Sequence, residues 1–393
     1  MENKIPENCR ALIKRNMDRM RLSPEETYPH DTLTFYFLLT QDCNGGCPYC
    51  YQPKQFRKKI SMSKKIVDDT MDFVLDNFKE DKVKFCFFGG EPFLEWDMMK
   101  YVLESYQSMN FHVITNGIVM HERKDVRDVL LKESFHLNVN LSVEPLTRRI
   151  GIDNFIDKIS DDIEVLKASK GEAHIVITDP TQDWIYPLTV ELLEKNVPKV
   201  RVSIARQLES VLQHGEEFFE LMKKIADYVY FREEPMWNRM SFDQLFNGNI
   251  FRKMVGFPIN PLPPTMCGCG YAYLAVDHKG DIYPCDWFSS FPEFKVGSIY
   301  TGLNDNARLF YEANNWIDGL YEDCKDCPIG DDIRLCPRAM CLAENYQAHG
   351  NPLKPTKTHC AVNLLEYRIY KYIAEECIKR GYDKKYKLGM KRR

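Results

Sequence analysis

The chain has 393 residues, and its 53 lysines and arginines nearly balance its 57 aspartates and glutamates, giving a net charge of −4. This balance argues against a nucleic-acid-binding protein, and no uninterrupted apolar run approaches the ~18 residues that a membrane-spanning helix needs. The charged N-terminus carries no recognisable secretory signal, which predicts a cytoplasmic protein. Its 14 cysteines are therefore expected to be reduced thiols that bind metal, rather than a disulfide framework.

A loop with three cysteines follows the first predicted strand. The strand covers residues 32–40, which are rich in aromatic and β-branched side chains, and Cys43, Cys47 and Cys50 come directly after it. Three thiolates are one too few to close a tetrahedral metal site. They suit a 4Fe-4S cluster that leaves one iron open to a ligand other than protein. The alternative is half of a zinc ribbon, which would need a second ligand pair and usually has CxxC spacing.

The CxxxCxxC spacing resembles the signature of radical S-adenosylmethionine (radical SAM) enzymes. The resemblance implies that Cys43, Cys47 and Cys50 hold a 4Fe-4S cluster whose open iron binds SAM, with Tyr49 as a further cofactor contact. In that family, one electron from the cluster cleaves SAM, and the resulting 5′-deoxyadenosyl radical abstracts a hydrogen atom from the substrate. A low-potential protein such as flavodoxin or ferredoxin would supply the electron.

A glycine pair ends the second predicted strand. The apolar run 83–88 breaks into Gly89-Gly90-Glu91-Pro92, where glycines allow a ligand to approach the backbone and Glu91 offers a carboxylate. The corresponding segment of radical SAM enzymes binds the amino group of SAM, so the resemblance assigns that role to Gly89, Gly90 and Glu91. An ordinary strand-to-helix turn is the alternative.

The next two predicted strands also end in polar residues. Asn116 follows the run 111–115, and Ser142 and Glu144 close the run 137–143. The family resemblance makes these three residues candidate contacts to SAM, around its carboxylate and ribose. The alternative is that they cap the strand ends.

Strand and helix patterns alternate through the first half of the chain. Further strands are predicted at 174–178 and 199–204, and helices at 63–78 and 216–230. The alternation predicts an α/β protein with a parallel sheet, and six such units resemble the partial (β/α)6 TIM-like barrel of radical SAM enzymes. The expected organisation is an N-terminal extension at 1–30, the barrel at 31–235, a connecting segment at 236–262, and a cysteine-rich domain with a C-terminal helix and basic tail at 263–393.

Eight cysteines lie between residues 267 and 360 of the last of these regions, and two 4Fe-4S clusters or two zinc sites would each need eight thiolates. Their order resembles the SPASM domain, a C-terminal extension of some radical SAM enzymes. The resemblance implies two auxiliary 4Fe-4S clusters, and thus three clusters in all. One would be held by Cys267, Cys269, Cys285 and Cys341, and the other by Cys324, Cys327, Cys336 and Cys360. Only one residue separates Cys267 from Cys269, fewer than in the family, so one of the two need not be a ligand.

Asp286 is the candidate catalytic base. It directly follows Cys285 and precedes Trp287 and Phe288, so an anionic cluster and aromatic side chains should raise its pKa toward the range useful for proton transfer. Anaerobic sulfatase-maturating enzymes have an aspartate base at this position of the motif. The alternative is an ordinary turn aspartate.

Together these features predict a radical SAM oxidoreductase that modifies a peptide or protein, with formylglycine formation as one case. A maturase that cross-links ribosomal peptides is the second possibility, and a non-catalytic zinc-binding protein is the third. After Ser142-Val-Glu144-Pro145, the chain lacks the glycine and the downstream His-Asp pair that are usual in sulfatase maturases.

Overall fold

The structure is a computed structural model, and it contains no ligand. The residues that it describes make up most of the barrel and parts of the C-terminal region. These are residues 33–52, 58–132, 136–145, 155–206, 208–233, 240–241, 268–270, 272–307, 324, 326–329, 341–352 and 354–382.

The centre of the fold is a parallel sheet of six strands that pair in chain order. All six strands predicted from the sequence are confirmed, with boundaries that differ by a few residues at most. They are β1 (Leu33–Thr40), β2 (Val83–Gly89), β3 (Phe111–Thr115), β4 (Leu137–Ser142), β5 (Glu172–Ile177) and β6 (Lys199–Ile204). Because the strands are parallel, their C-terminal ends all lie at one edge of the sheet, where the cysteine loop begins.

Helices connect the strands and cover one face of the sheet. The helices are α1 (Lys64–Asn77), α2 (Trp96–Ser105), α3 (Ile118–Glu122), α4 (Lys124–Lys132), α5 (Phe155–Lys158), α6 (Ser160–Ala168), α7 (Ile185–Glu194), α8 (Ser210–Gln213) and α9 (Gly215–Tyr230). Helix α1 begins where the Ser63 hydroxyl accepts a hydrogen bond of 3.3 Å from the Ile66 amide. Its buried side chains recur at helical spacing and join the main core.

The two faces of the sheet differ in polarity, as alternation along the strands requires. Phe35 and Phe37 of β1 stack with Phe85 and Phe87 of β2 on the side covered by the helices. The alternate positions of the strands carry many polar side chains, among them Tyr36 and the residues in register with it across β3 and β4. The parallel sheet therefore has a dry outer face and a partly polar inner face, which lines the lumen of the partial barrel.

The C-terminal region extends this sheet instead of forming a separate one. Strand β7 (Met240–Ser241) pairs with β6, and β8 (Tyr273–Val276) pairs in parallel with the free edge of β1. The antiparallel strands β9 (Asp281–Tyr283), β10 (Gly297–Ser298) and β11 (Gly302–Leu303) follow outward from β8. This pairing brings the cysteine-rich region directly against the strand that leads into the cysteine loop.

Two helices complete the described part of the chain. They are α10 (Leu342–His349) and α11 (Lys357–Lys379), of which α11 packs against α9 and α8 of the barrel. The basic tail after residue 382 lies outside the described residues. Within the described ranges, every helix is too short or too polar to cross a membrane.

Candidate active site

The loop that carries Cys43, Cys47 and Cys50, residues 41–52, is here called the cluster loop. Its first turn is fixed by backbone and side-chain hydrogen bonds at the end of β1. The Thr40 hydroxyl accepts from the Asp42 amide at 3.1 Å, and the Asp42 carboxylate accepts from the Cys43 amide at 2.9 Å. The local sequence thus turns the chain away from the sheet immediately before the first cysteine.

The three cysteines of the cluster loop are partly exposed thiols. The Gly45 amide donates a hydrogen bond to Cys43 Sγ at 3.3 Å, and Asn116 Nδ2 approaches the same sulfur at 3.8 Å. Donors directed at a sulfur stabilise a thiolate, which is the form that binds iron. Three such thiols on one loop fit the donor set of a 4Fe-4S cluster. In the described ranges, no three His, Cys, Asp or Glu side chains converge as ligands of a single metal ion.

The glycine pair Gly89-Gly90 lies where β2 meets the start of the cluster loop. The Gly90 amide donates to the Thr40 carbonyl at 2.7 Å, and the Glu91 amide donates to the Asp42 carbonyl at 2.8 Å. A Cβ atom on Gly90 would lie 1.9 Å from the Asp42 carbonyl oxygen, and one on Gly89 would lie 2.2 Å from that of Thr40. The backbone that approaches these glycines closely is therefore that of the protein itself. Their predicted contact with SAM stays a prediction.

Glu91 is buried, and protein donors surround its carboxylate. Oε1 accepts from the Phe93 amide at 3.0 Å and from the Thr115 hydroxyl at 2.7 Å, while Oε2 accepts from the Asn116 amide at 2.8 Å. The side chain thus ties the end of β2 to the end of β3. Sequence reasoning did not anticipate this role. A cofactor contact by Glu91 also stays a prediction.

Asn116 connects the end of β3 to the cluster loop. Its Nδ2 donates to Asn44 Oδ1 at 3.0 Å, and its Oδ1 accepts from the Ile118 amide at 2.9 Å. The next two candidates lie farther along the same edge of the sheet. Ser142 is partly exposed at the end of β4, and buried Glu144 accepts a hydrogen bond from the Val176 amide of β5. Polar contacts at this edge therefore link the end of β3 to the cluster loop and the end of β4 to β5.

Asp286 comes from the C-terminal region but lies against the cluster loop. Its carboxylate accepts a hydrogen bond from the hydroxyl of Tyr51, the residue after Cys50. The Tyr51 ring stacks on Trp287 with 4.4 Å between centroids, and Trp287 Nε1 donates to Gln347 of α10 at 2.7 Å. Sequence reasoning did not single out Tyr51 as functional, although its place next to a candidate ligand was a usable signal.

Burial controls the ionisation of this pair. It raises the pKa of the Asp286 carboxyl above its usual value, while the hydrogen bond from Tyr51 acts in the opposite direction. Burial, together with the adjacent Asp286 charge, raises the pKa of Tyr51 well above its ordinary value. The sequence also predicts a raised pKa for Asp286, and in the structure burial is the leading cause of that rise. This carboxyl is therefore a candidate for proton transfer.

Asp286 also faces residues of the barrel's inner face. Burial is the main cause that raises the pKa of Tyr36, and the negative charges of Cys86 and Asp286 add to it. Cys86 of β2 is fully buried, and burial raises the pKa of its thiol. Asp286 therefore lies near Tyr36 and Cys86 of the barrel's inner face as well as near the cluster loop.

The predicted auxiliary cysteines fall into three groups. Cys269 is buried, Cys360 is exposed on α11, and four others are partly exposed: Cys285, Cys324, Cys327 and Cys341. Cys267 and Cys336 lie outside the described residues. The Cys327 amide donates to the Cys324 carbonyl at 3.2 Å, which forms a tight turn between this pair. The assignment of these cysteines to two clusters stays a prediction.

Comparison with known proteins agrees with this arrangement. Residues 37–170 match the model of the radical SAM superfamily. An uncharacterized protein of Archaeoglobus fulgidus is 23% identical over 340 residues, which cover 82% of this chain and 77% of that protein. A putative glycyl-radical enzyme activating enzyme of Methanocaldococcus jannaschii is 32% identical over 107 residues, which cover 26% of this chain and 38% of that protein.

Solved structures share the fold over most of the chain. Native anSMEcpe with bound AdoMet and a peptide aligns with 88% of this chain and 99% of its own, with a TM-score of 0.64 and 17% identity. Streptococcus suis SuiB bound to its precursor peptide SuiA aligns with 89% of this chain and 78% of its own, with a TM-score of 0.59 and 16% identity. At these identities the likeness shows the fold, a partial barrel with a C-terminal extension.

Proposed function

We propose that this chain, a radical SAM enzyme with a 4Fe-4S cluster and SAM as cofactors, oxidises a peptide or protein substrate inside its barrel. The observation that carries the proposal is the position of Asp286. A partly buried carboxyl from the C-terminal region is hydrogen-bonded to Tyr51, next to the last cysteine of the cluster loop. The same fold holds a peptide in anSMEcpe and a precursor peptide in SuiB, which supports a peptide substrate here.

The cluster loop and the neighbouring strand ends would bind the cofactors. Cys43, Cys47 and Cys50 would hold the cluster, and the donors from Gly45 and Asn116 would stabilise the Cys43 thiolate. When bound, the cluster and SAM supply a carbon-centred radical that abstracts a hydrogen atom. The barrel must keep water and other hydrogen donors away from that radical. Glu91 fixes the loop by joining the ends of β2 and β3.

Asp286 would accept a proton from the substrate. A carboxyl whose pKa is raised by burial binds that proton more readily than an exposed aspartate does. Tyr51 would keep the carboxylate pointed at the lumen, because the phenol is itself held by stacking on Trp287. Loss of one hydrogen atom and one proton from the same side chain would leave one electron, and an auxiliary cluster held by the C-terminal cysteines would supply its acceptor, so that the overall change is a two-electron oxidation. Oxidation of serine in this way gives formylglycine directly, whereas oxidation of cysteine gives a thioaldehyde that water hydrolyses to formylglycine with release of hydrogen sulfide.

The proposal is tested by anaerobic reconstitution followed by iron and sulfide analysis. SAM and dithionite are then added, and 5′-deoxyadenosine is measured by mass spectrometry. We expect iron in the protein and nucleoside formation that disappears when Cys43, Cys47 and Cys50 are all replaced by alanine. Bound zinc with no SAM cleavage would contradict the proposal and favour the non-catalytic zinc-binding alternative.

Peptide cross-linking is the second candidate, supported by the shared fold of SuiB, whose structure contains its precursor peptide. Tandem mass spectrometry of serine- and cysteine-containing peptides separates the two reactions. Formylglycine formation changes one residue and creates an aldehyde that reacts with a hydrazide. Cross-linking joins two residues and leaves no aldehyde. Either product would support peptide oxidation, and an unchanged peptide despite SAM cleavage would contradict it.

A further inference from the structure

A cavity opens at the end of the barrel away from the cluster loop. It has a volume of about 710 Å³, within the range of small-ligand sites. Its lining includes Thr34 of β1 and Lys84 of β2, which pair in register near the N-terminal ends of their strands. The cluster loop begins after the opposite, C-terminal end of β1. The cavity is therefore separate from the cofactor-binding edge.

The charged side chains that line this cavity all carry the same sign. Lys84, Lys170 and Arg201 are cationic, and the described lining contains no aspartate or glutamate. Burial lowers the pKa of His112 to about 4, so that ring is neutral at physiological pH and adds no charge. We call Lys84, Lys170 and Arg201 the basic mouth.

The members of the basic mouth differ in how far nearby carboxylates neutralise their charge. Arg201 Nε lies 2.6 Å from Glu172 Oε1, and Lys199 Nζ lies 2.8 Å from Glu172 Oε2, so one carboxylate serves two cations there. Lys84 and Lys170 are exposed, and neither forms a salt bridge within the part of the chain that the structure describes. Asn110 also borders the cavity, as do Asn138 and Asn140, whose Nδ2 atoms already donate to the Lys170 carbonyl and to Glu172 Oε1. The cationic side chains match the chemistry of a carboxylate ligand, which accepts hydrogen bonds from ammonium and guanidinium donors.

One residue, Tyr36, lies near both the cavity and Asp286. Tyr36 lines the cavity, and the same side chain is close enough to Asp286 for its pKa to be raised by that charge. A chain that entered at the basic mouth would therefore approach the candidate base from inside the lumen.

We propose that the basic mouth binds the carboxylate groups of an acidic peptide segment. The further assignment of this segment to the substrate, with a neighbouring residue near Asp286, rests on the proposed function. Lysine and arginine at the rim would attract and orient such a segment, because charge complementarity mainly sets encounter and register. The enzyme is thus expected to select peptides with aspartate or glutamate close to the modified residue.

The test uses fluorescence anisotropy with two labelled probes, hexaglutamate and hexaglutamine, and the full-length reconstituted protein. We expect hexaglutamate to bind more tightly than hexaglutamine, with affinity that falls as salt increases. The double variant Lys84→Gln/Lys170→Gln should weaken hexaglutamate binding about tenfold. Lys79→Gln, an exposed lysine outside the cavity, is the matched control and should bind like the unaltered protein.

Each outcome decides the proposal independently of catalysis. Equal binding of the two probes, or undiminished binding by the double variant, would overturn it. If unlabelled peptide displaces neither labelled probe but inorganic phosphate binds saturably, the cavity is a site for small anions. That result would also overturn the proposal. SAM cleavage without peptide should be the same in all three proteins, so a loss of nucleoside formation would report on the proposed function. Circular dichroism of the double variant checks its fold.

Discussion

The hydroxyl of Tyr51 donates a hydrogen bond to the carboxylate of Asp286, although 235 positions separate the two residues in the chain. Tyr51 directly follows the cluster loop's last cysteine, and Asp286 directly follows a predicted auxiliary ligand. The contact therefore joins the cluster loop to the cysteine-rich C-terminal region at one partly buried point. It also gives the candidate base a fixed orientation, because Tyr51 stacks on Trp287.

Substitution Tyr51→Phe should shift the pH dependence of peptide modification. The ring and its stacking on Trp287 are kept, but Asp286 loses a donor that lowers its pKa. The pKa of Asp286 should rise, because the hydrogen bond from Tyr51 stabilises the charged carboxylate. The acidic limb of the kcat/KM profile should therefore move to higher pH. An unchanged profile would show that Tyr51 does not control this carboxyl.

Substitution Asp286→Asn should separate SAM cleavage from substrate oxidation. Asparagine keeps the size of the side chain but cannot take a proton, and general bases contribute about 10²–10⁴-fold. We expect 5′-deoxyadenosine formation to persist while peptide oxidation falls at least about a hundredfold. Mass spectrometry measures both products in one reaction. Full peptide oxidation by this variant would remove Asp286 from the mechanism.

The six strands of the barrel could be predicted from the sequence because each is a local pattern of alternating or continuous apolar residues. The three-cysteine loop was equally visible, since its spacing is local. The sequence explained only in part why residues 89 and 90 are both glycine, Gly89 and Gly90. Their close neighbours are the backbone carbonyls of Thr40 and Asp42, which lie at the end of another strand. A one-dimensional pattern does not show which distant backbone will lie there.

The pairing of β8 with β1 and the contact of Tyr51 with Asp286 could not be found in this way. Strand β8 has only four residues, Tyr273–Val276, too few for a strong periodic signal. Its register with Thr34 to Phe37 depends on closure of more than 200 residues of chain. Asp286 follows shortly after β8 and β9 in the chain. Its contact with Tyr51 is therefore a consequence of the pairing of β8 with β1.

Substitution Gly90→Ala should disrupt the cluster loop. The added methyl group would lie 1.9 Å from the Asp42 carbonyl oxygen, so the end of β2 and the start of the loop must separate. Overpacking of this kind typically costs about 1–3 kcal/mol, and backbone neighbours leave little room for relief. We expect a lower Tm and reduced iron content after reconstitution.

Gly46→Ala is the matched control for that variant, because no atom of the described residues lies within 4 Å of the place that its added methyl group would take. It belongs to the same cluster loop and has the same change in composition. It should keep normal iron content and a Tm close to that of the unaltered protein. Equal behaviour of the two variants would contradict the close approach seen between Gly90 and Asp42.

Glu366 of α11 should make the stability of the protein depend on pH. Its side chain is fully buried, and neither carboxylate oxygen has a hydrogen-bond partner in the described part of the chain. Burial raises its pKa well above the ordinary value, and Arg206 offsets this only in part. The folded protein therefore binds this proton more tightly than the unfolded chain does. Stability from Glu366 is fully present below the unfolded pKa and is lost as pH rises through the folded pKa.

Substitution Glu366→Gln removes this ionisation while keeping the size of the side chain. The variant should be more stable than the unaltered protein at high pH, and the difference should shrink as pH falls toward the unfolded pKa of about 4.3. Urea unfolding at several pH values measures it. Glu376→Gln on the same helix is the control, because its pKa is lowered by hydrogen bonds to Lys379 and Arg380, which predicts the opposite sign. A gain in stability that stays constant across pH would mean that Glu366 does not titrate, and that the substitution acts through packing alone.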